Sequence, residues 1–257
     1  MKVKLERMLK FGVEIEIKTT LDGVQVAQKL RDAGINAIFK TGLTEEVHAV
    51  TKAWKVVRDG SISGGWEVVS PPTCDIMEVK LVIDTLKDAG CRVDKDCGIH
   101  VHHWCGDFDL DNVKQLYNNY HFHQEEIFTM LKKTRLTNQY CRPLSHIIDR
   151  VNRIDTMQKF RNDIGGEFDT HYYNSCRYYA LNFRSFLRYE TIEFRQYHGT
   201  LDSVEVVNWI LLTHRLVENA KRNQQSTNEL ISDLSVENTH LEKYIKKQKT
   251  KYRNRTA

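Results

Sequence analysis

The sequence has no apolar run approaching the roughly 18 to 20 residues of a membrane span. Its longest candidate, Trp209-Ile210-Leu211-Leu212, is soon followed by His214 and Arg215. A secretory leader is not expected either, because Met1-Lys2-Val3-Lys4-Leu5-Glu6-Arg7 is charged and has no apolar core of about 7 to 15 residues behind it. The six cysteines, Cys74, Cys91, Cys97, Cys105, Cys141 and Cys176, show no Cys-x-x-Cys spacing. That scatter argues against a structural zinc knot and fits reduced cytosolic thiols. No internal repeat and no low-complexity segment interrupts the chain. The expectation is a soluble, cytoplasmic globular protein, and 257 residues at 40% hydrophobic composition suffice for one large domain with an appendage.

Excess positive charge is also missing from the body of the chain. The net charge is +4, yet residues 243–257 hold seven Lys and Arg and no acid, which leaves −3 for residues 1–242. A broad nucleic-acid face is therefore not expected. Only the basic tail is a candidate for touching RNA, DNA or an anionic surface, and a solvated C-terminus has the same composition.

What is present begins with Phe11-Gly12-Val13-Glu14-Ile15-Glu16-Ile17, which alternates apolar and acidic residues. As a strand it puts Val13, Ile15 and Ile17 on one face and Glu14 with Glu16 on the other, Cα atoms about 6.7 Å apart. Two such carboxylates repel by about 2.5 kcal/mol at an effective dielectric near 20, so a covered face needs a cation or basic partners. A half-exposed strand with its polar face in water shows the same alternation.

Along the chain, a helix is expected over Val24–Ala33, with Val24, Ala27 and Leu30 on one face and Gly34 as its stop. Short strands follow at Ile35–Phe39 and Val47–Val50, separated by the polar Thr41–Glu46 turn. Two more, Trp54–Val57 and Trp66–Ser70, flank Asp59-Gly60-Ser61 and Gly64-Gly65. Asp75 with Glu78 resembles a capping box for a helix burying Val79, Val82, Ile83 and Leu86, ended by Gly90. In Cys97–Trp104, strand geometry puts His100, His102 and Trp104 on one face. Asp109 or Asp111 caps a long amphipathic helix, and a second helical region covers Ile147–Ile164. His121 and His123 lie two apart on a helix and do not face each other, which makes them poor metal partners. Strands are expected at Tyr178–Phe186, where Asn182 and Arg184 share a face, and at Thr191–Tyr197, where Glu193, Arg195 and Tyr197 do. Asp202 with Glu205 caps the most apolar helix, Val204–Leu216. From Lys221 the composition turns polar: a linker over Asn223–Asn228, an amphipathic segment, then the basic tail.

Four strands thus place polar residues in one register: Glu14 and Glu16, Glu67, His100 and His102, Glu193 and Arg195. Each taken singly is explained by an ordinary core histidine or a cross-strand ion pair. Together, four carboxylates and two imidazoles are costly on a covered sheet face unless they bind cations. Oxygen-rich ligation with one or two imidazoles suits Mg²⁺ or Mn²⁺ better than structural zinc. Arg195 adds a fixed guanidinium fork of the kind that neutralises a transferring phosphoryl group.

At this point several motifs resemble one family: Phe11-Gly12-x-Glu14-x-Glu16; Trp54 through Asp59-Gly60-Ser61 to Glu67-x-x-Ser70-Pro71; Cys97-Gly98-x-His100-Val101-His102; Arg135-x-x-Asn138-x-Tyr140; and Asn182 leading to Thr191-Ile192-Glu193-Phe194-Arg195 and Gly199-Thr200. Their order is similar to that of the amidoligase family, a divergent branch of the carboxylate-amine ligases that share the catalytic core of glutamine synthetase and glutamate-cysteine ligase. The resemblance runs from about residue 11 to about residue 220. It implies an α+β fold, a curved and mainly antiparallel sheet with the active site on one face and helices packed on the other. It also implies ATP-dependent amide formation through an acyl phosphate. The division would be a catalytic domain over 1–220 and a linker, helical segment and basic tail over 221–257.

Residue by residue, the resemblance makes Glu14, Glu16, Glu67, His100 and Glu193 ligands of magnesium ions bridging the ATP phosphates. Arg195 would stabilise the γ-phosphoryl, with Glu193 and Glu67 in catalytic positions, and His102 would lie near the nucleotide. Asn182, Arg184 and Arg177 are further contacts to nucleotide or substrate. His103-Trp104 departs from the smaller apolar residue usual after the second histidine, and nothing from Lys221 onward has a counterpart in these motifs. The carboxylate and the amine are left unspecified: ammonia, an amino acid, a polyamine, or a protein or peptidoglycan amine all fit. Specificity is expected in loops and inserted helices, roughly Phe108–Gly166 and Thr41–Glu46. Two other classes remain: an ATP-independent hydrolase or oxygenase built on two histidines and a carboxylate, and a non-catalytic module assembling through its acidic sheet and basic tail.

Overall fold

The computed structural model describes residues 10–41, 49–58, 60, 62, 64–73, 75–166, 176–234 and 239–253. They fall into two compact units, one from Met1–Trp104 with Gly199–Val207 and the other from Cys105–His198 with Asn208–Ala257. Most of the expected Thr41–Glu46 turn, Asp59, Ser61 and half of the Val47–Val50 strand lie outside the described residues, and Ala49 and Val50 join no strand.

The first unit is built on β1 (Phe11–Lys18), which pairs antiparallel on one side with β4 (Gly65–Val69) and on the other with β5 (Gly98–Trp104). β3 (Trp54–Arg58) runs antiparallel to β4, and the short β2 (Ala37–Phe39) runs parallel to β3. Alternation in β1 is realised as expected: Val13, Ile15 and Ile17 are fully buried on the core face, and Glu14 and Glu16 take the other. β4 can enter beside β1 because Gly65 has no side chain; a Cβ there would come 2.6 Å from the Ile17 carbonyl oxygen.

α1 (Gly23–Asp32) starts in a capping box, with the Gln25 amide N–H donating to Asp22 at 2.8 Å and the Asp22 N–H donating to Gln25 Oε1 at 2.9 Å. It buries Val26, Ala27 and Leu30 and packs on β2 and β3, whereas Val24 points to solvent. The stripe is thus rotated from the expected one, with Val26 in place of Val24. α2 (Ile76–Asp88) is capped by Asp75 and buries Val79, Val82, Ile83 and Leu86, the face expected from their spacing.

In the second unit, Asp109 caps α3 (Leu110–Phe128), whose buried face carries Val113, Leu116, Tyr117, Tyr120 and Ile127. The single helical region expected over 147–164 is two short helices, α4 (Ile148–Arg153) and α5 (Met157–Asp163). The chain is extended at Ile154, and the Thr156 hydroxyl caps the second helix by accepting from Lys159 N–H at 3.2 Å. A second correction concerns Tyr178–Phe186. Only β6 (Leu181–Asn182) is strand, and α6 (Arg184–Tyr189) follows it. The Asn182 side chain accepts from Arg184 N–H at 2.9 Å, and Ser185 Oγ donates to the Asn182 carbonyl at 2.9 Å. These local bonds compete with the ladder and turn the chain into a helix, so Asn182 and Arg184 do not share a strand face.

β7 (Thr191–His198) pairs antiparallel with β6 and is buried along nearly its whole length. Of the strand pairings within the units, β2–β3 is parallel and the four others given above are antiparallel. α7 (Ser203–Lys221) starts on Asp202, whose carboxylate accepts from Val204 and Glu205 N–H. The polar C-terminal stretch contains α8 (Leu230–Leu234) and α9 (Thr239–Arg253). α9 buries Leu241, Tyr244, Ile245 and Tyr252. Its Tyr244 hydroxyl lies 2.7 Å from the Tyr197 hydroxyl, and its Tyr252 hydroxyl lies 2.9 Å from His198 Nε2, so two hydrogen bonds tie it to the end of β7. No described helix is long and apolar enough to cross a membrane.

Candidate functional site

Register assembles the first group of candidate residues. Glu14 sits opposite His100 across the β1–β5 pair, and Glu16 sits opposite Glu67 across the β1–β4 pair, so all four side chains project from one face of the sheet. His102, two residues beyond His100, takes the same face. Glu14 Oε2 lies 3.0 Å from His100 Nδ1, and Glu14 Oε1 lies 3.2 Å from His102 Nε2. Glu16 Oε1 is 3.9 Å from His100 Nε2, and its other oxygen accepts from the Gly98 N–H. Glu16 and His100 are buried, at 5% and 4% exposure, while Glu14 and Glu67 remain partly accessible.

Burial by itself pushes the Glu14 carboxyl up. Attraction to His102 and hydrogen bonds to His100 and His102 outweigh it and hold the group well below the usual carboxylate range. Glu14 is therefore an anion at neutral pH. Glu14, Glu67 and His100 each offer a ligand atom, and the three atoms lie within 4.8 Å of one another. Two carboxylates and an imidazole at that separation fit a hard divalent cation that keeps part of its water shell and accepts further oxygen ligands. Among the described residues no thiol joins this group, and burial pushes the Cys97 thiol, next to Gly98, up to about 11.

A second group lies in the other unit. On β7, Glu193 and Arg195 share a face, and the Arg195 guanidinium pairs with Glu193 Oε1. Asn182, opposite Glu193 on β6, donates from Nδ2 to Glu193 Oε2 at 2.6 Å. Both oxygens of this carboxylate, 3% exposed, are thus engaged. Arg195 Nε donates to the Tyr140 carbonyl at 3.1 Å. Of the remaining candidates, Arg184 enters this group only through its backbone N–H, and the Arg177 guanidinium lies over the Tyr178 ring at 5.3 Å.

Three positions carry more than the site reading assigned to them. Arg135, 3% exposed, donates from Nη2 to the Arg195 carbonyl at 2.6 Å and from Nε to the Gln196 carbonyl at 3.3 Å. The Arg135-x-x-Asn138-x-Tyr140 motif therefore grips the middle of β7, through Arg135 on the backbone of Arg195 and Gln196 and through the Tyr140 carbonyl on the Arg195 side chain. Ser70 Oγ accepts from the Val13 N–H at 2.9 Å, fixing β1 next to Glu14. Lys55 lies opposite Val69, which in turn lies opposite Glu14, and so belongs to the polar face; it is 5% exposed, and its Nζ donates to the Ala49 carbonyl at 2.9 Å. Its signal in the sequence is a lysine at an alternating position inside Trp54-Lys55-Val56-Val57.

Comparison with known proteins agrees with the motif order. The model of a family described as "putative amidoligase enzyme" matches residues 7–217. No curated protein matches the chain.

Proposed function

The chain belongs to the amidoligase family, which implies an amide-bond-forming enzyme, and from that premise we propose that it is an ATP- and Mg²⁺-dependent carboxylate–amine ligase. The observation that carries the proposal is the convergence of Glu14, Glu67 and His100 within 4.8 Å on one sheet face, the imidazole buried and the two carboxylates half-buried. A cluster of this kind suits magnesium or manganese on a polyphosphate and has no need of a protein nucleophile.

In this reading Glu14, Glu16, Glu67, His100 and Glu193 hold the metal, and His102 contacts the nucleotide. Bound magnesium supplies charge neutralisation at the phosphates. A carboxylate oxygen of the substrate attacks the γ-phosphorus, and the β–γ bridging oxygen leaves with ADP. Arg195 stabilises the charge on the transferring group. The amine nitrogen then attacks the acyl carbon of the acyl phosphate, the C–O bond to phosphate breaks, inorganic phosphate leaves, and a nearby base takes the amine proton. The chain's own contribution is position: Arg135 and Tyr140 set the height of Arg195, Asn182 orients Glu193, and Ser70 holds β1 in register. The proposal includes a sheet that corresponds to the glutamine synthetase catalytic core.

The test is ADP release with Mg²⁺ against pooled carboxylates and amines. Turnover that requires one carboxylate and one amine together supports the reading. Metal-dependent hydrolysis of an ester or amide in the absence of ATP would favour the hydrolase class instead.

A further inference from the structure

A cleft of about 550 Å³ opens in the second unit between the C-terminal half of α7, the loop that follows it, and α8. None of its lining residues belongs to the Asn182–Glu193–Arg195 group, and all but Arg215 lie beyond the matched region 7–217. Arg215 and Asn219 stand at i and i+4 on α7, and Arg222, in the turn just past its end, lines the cleft with them. Gln225 in the loop and Ser232 and Asp233 on α8 face them, and Leu234 is the one apolar residue of the lining. The opening is held in place by Asn219 Nδ2, which donates to the Asp233 carbonyl at 3.2 Å.

The lining carries two cations, Arg215 and Arg222, and one carboxylate, Asp233. Arg222 pairs with Glu218 at 3.0 Å. The Asp233 carboxylate is committed elsewhere: Oδ1 accepts from Asn228 Nδ2 at 3.1 Å, and Oδ2 accepts from Thr227 N–H at 3.1 Å and lies 3.1 Å from His123 Nε2. Arg215 is different. It is half-buried, and its guanidinium makes no hydrogen bond or ion pair with any described residue. A partly desolvated cation with five donors, in a hollow lined by amides and hydroxyls, lacks only an anion.

We infer that this cleft is a binding site for a small, highly polar anion, whose carboxylate or phosphate group is held by Arg215 and whose hydroxyl or amide groups are held by Asn219, Gln225 and Ser232. The volume limits the ligand to a small molecule, and the near absence of apolar lining excludes a hydrophobic one. The site does not depend on the ligase reading.

The experiment is NMR of the full chain with ¹⁵N-arginine, following the Nε–H signals assigned through Arg215→Gln and Arg222→Gln, at constant ionic strength. Inorganic phosphate, glutamate and glucose are the three probes. A saturable shift of the Arg215 signal is expected with phosphate or glutamate, and the stronger of the two identifies the anionic group. Glucose should leave that signal in place. Loss of a charge-assisted hydrogen bond predicts that Arg215→Gln weakens the bound anion by at least about tenfold, with an unchanged thermal melt. Phosphate binding that persists undiminished in Arg215→Gln belongs to another site and overturns the inference. So does an Arg215 signal that fails to saturate with either anion, or one that glucose shifts as strongly.

Discussion

Arg195→Met separates what Arg195 does for the fold from what it does in the reaction. In the folded protein its guanidinium answers one oxygen of Glu193 and donates to the Tyr140 carbonyl, and Glu193 is 3% exposed. Methionine fills the volume but leaves the Glu193 carboxylate buried, beside the Asn182 amide, without its guanidinium. Removing one member of a buried pair costs about 3–5 kcal/mol, because the other charge is left uncompensated. Chemical denaturation should show that loss for Arg195→Met. In the double variant Glu193→Gln/Arg195→Met, part of the loss should be recovered, with a coupling of about 1–3 kcal/mol. Arg195→Lys keeps the charge but cannot span Glu193 and the Tyr140 carbonyl with one planar fork, so the fold should survive with a loss of about 1–3 kcal/mol. Its kcat for ATP-dependent ligation should nevertheless fall by the equivalent of about 3–5 kcal/mol, on the order of 10²- to 10⁴-fold. Wild-type stability in Arg195→Met would refute the burial argument, and full kcat in Arg195→Lys would remove Arg195 from the phosphoryl step.

Other outcomes follow from the same contacts. Truncation after Glu237 deletes Leu241, Tyr244, Ile245 and Tyr252 and uncovers Tyr197 and His198; at about 1.5–3 kcal/mol per buried side chain the thermal midpoint should collapse, and a truncated chain melting like the full one would show that α9 is dispensable. The Glu14 carboxyl has a lower pKa folded than unfolded, so its contribution to stability is full above the unfolded value of about 4.3 and is lost as pH falls through the folded value. Acid titration of Glu14→Gln should therefore show a shallower loss of stability on the acid side than wild type, and parallel curves would contradict this. Cys97, with its thiol pushed up to about 11, should resist alkylation by iodoacetamide at pH 8 in the folded protein; rapid labelling there, read by mass spectrometry, would refute the burial account.

Much of the site was legible because alternation in a strand is a local property. Glu14, Glu16, His100, His102, Glu193 and Arg195 could be put on polar faces from period-two spacing alone, and the faces hold. Which strands pair, and in what register, depends on contacts far apart in sequence; the Glu14–His100 and Glu16–Glu67 oppositions could not be read from spacing. The Tyr178–Phe186 strand failed for a local reason, since apolar residues at either periodicity fit that stretch while the Asn182 side chain decided for a turn. α9 was legible only in part. Leu241 and Ile245 belonged to an expected amphipathic segment, but seven basic residues after position 242 masked Tyr244 and Tyr252, which continue the buried stripe while Lys243, Lys246 and Lys247 are exposed. Arg135 gave no sign of its role, because a buried arginine that grips backbone carbonyls looks in sequence like any surface charge.

ATP binding measured by calorimetry with Mg²⁺ and again with EDTA tests the central claim most directly. Clustered carboxylates at Glu14, Glu16 and Glu67 repel a triphosphate unless a cation stands between them. The account predicts saturable ATP binding with Mg²⁺, weakened at least tenfold by EDTA on the order of one lost charge-assisted contact, and lost in Glu14→Gln/Glu67→Gln. ATP binding that is equal in both conditions, or absent from both, would contradict the ligase reading.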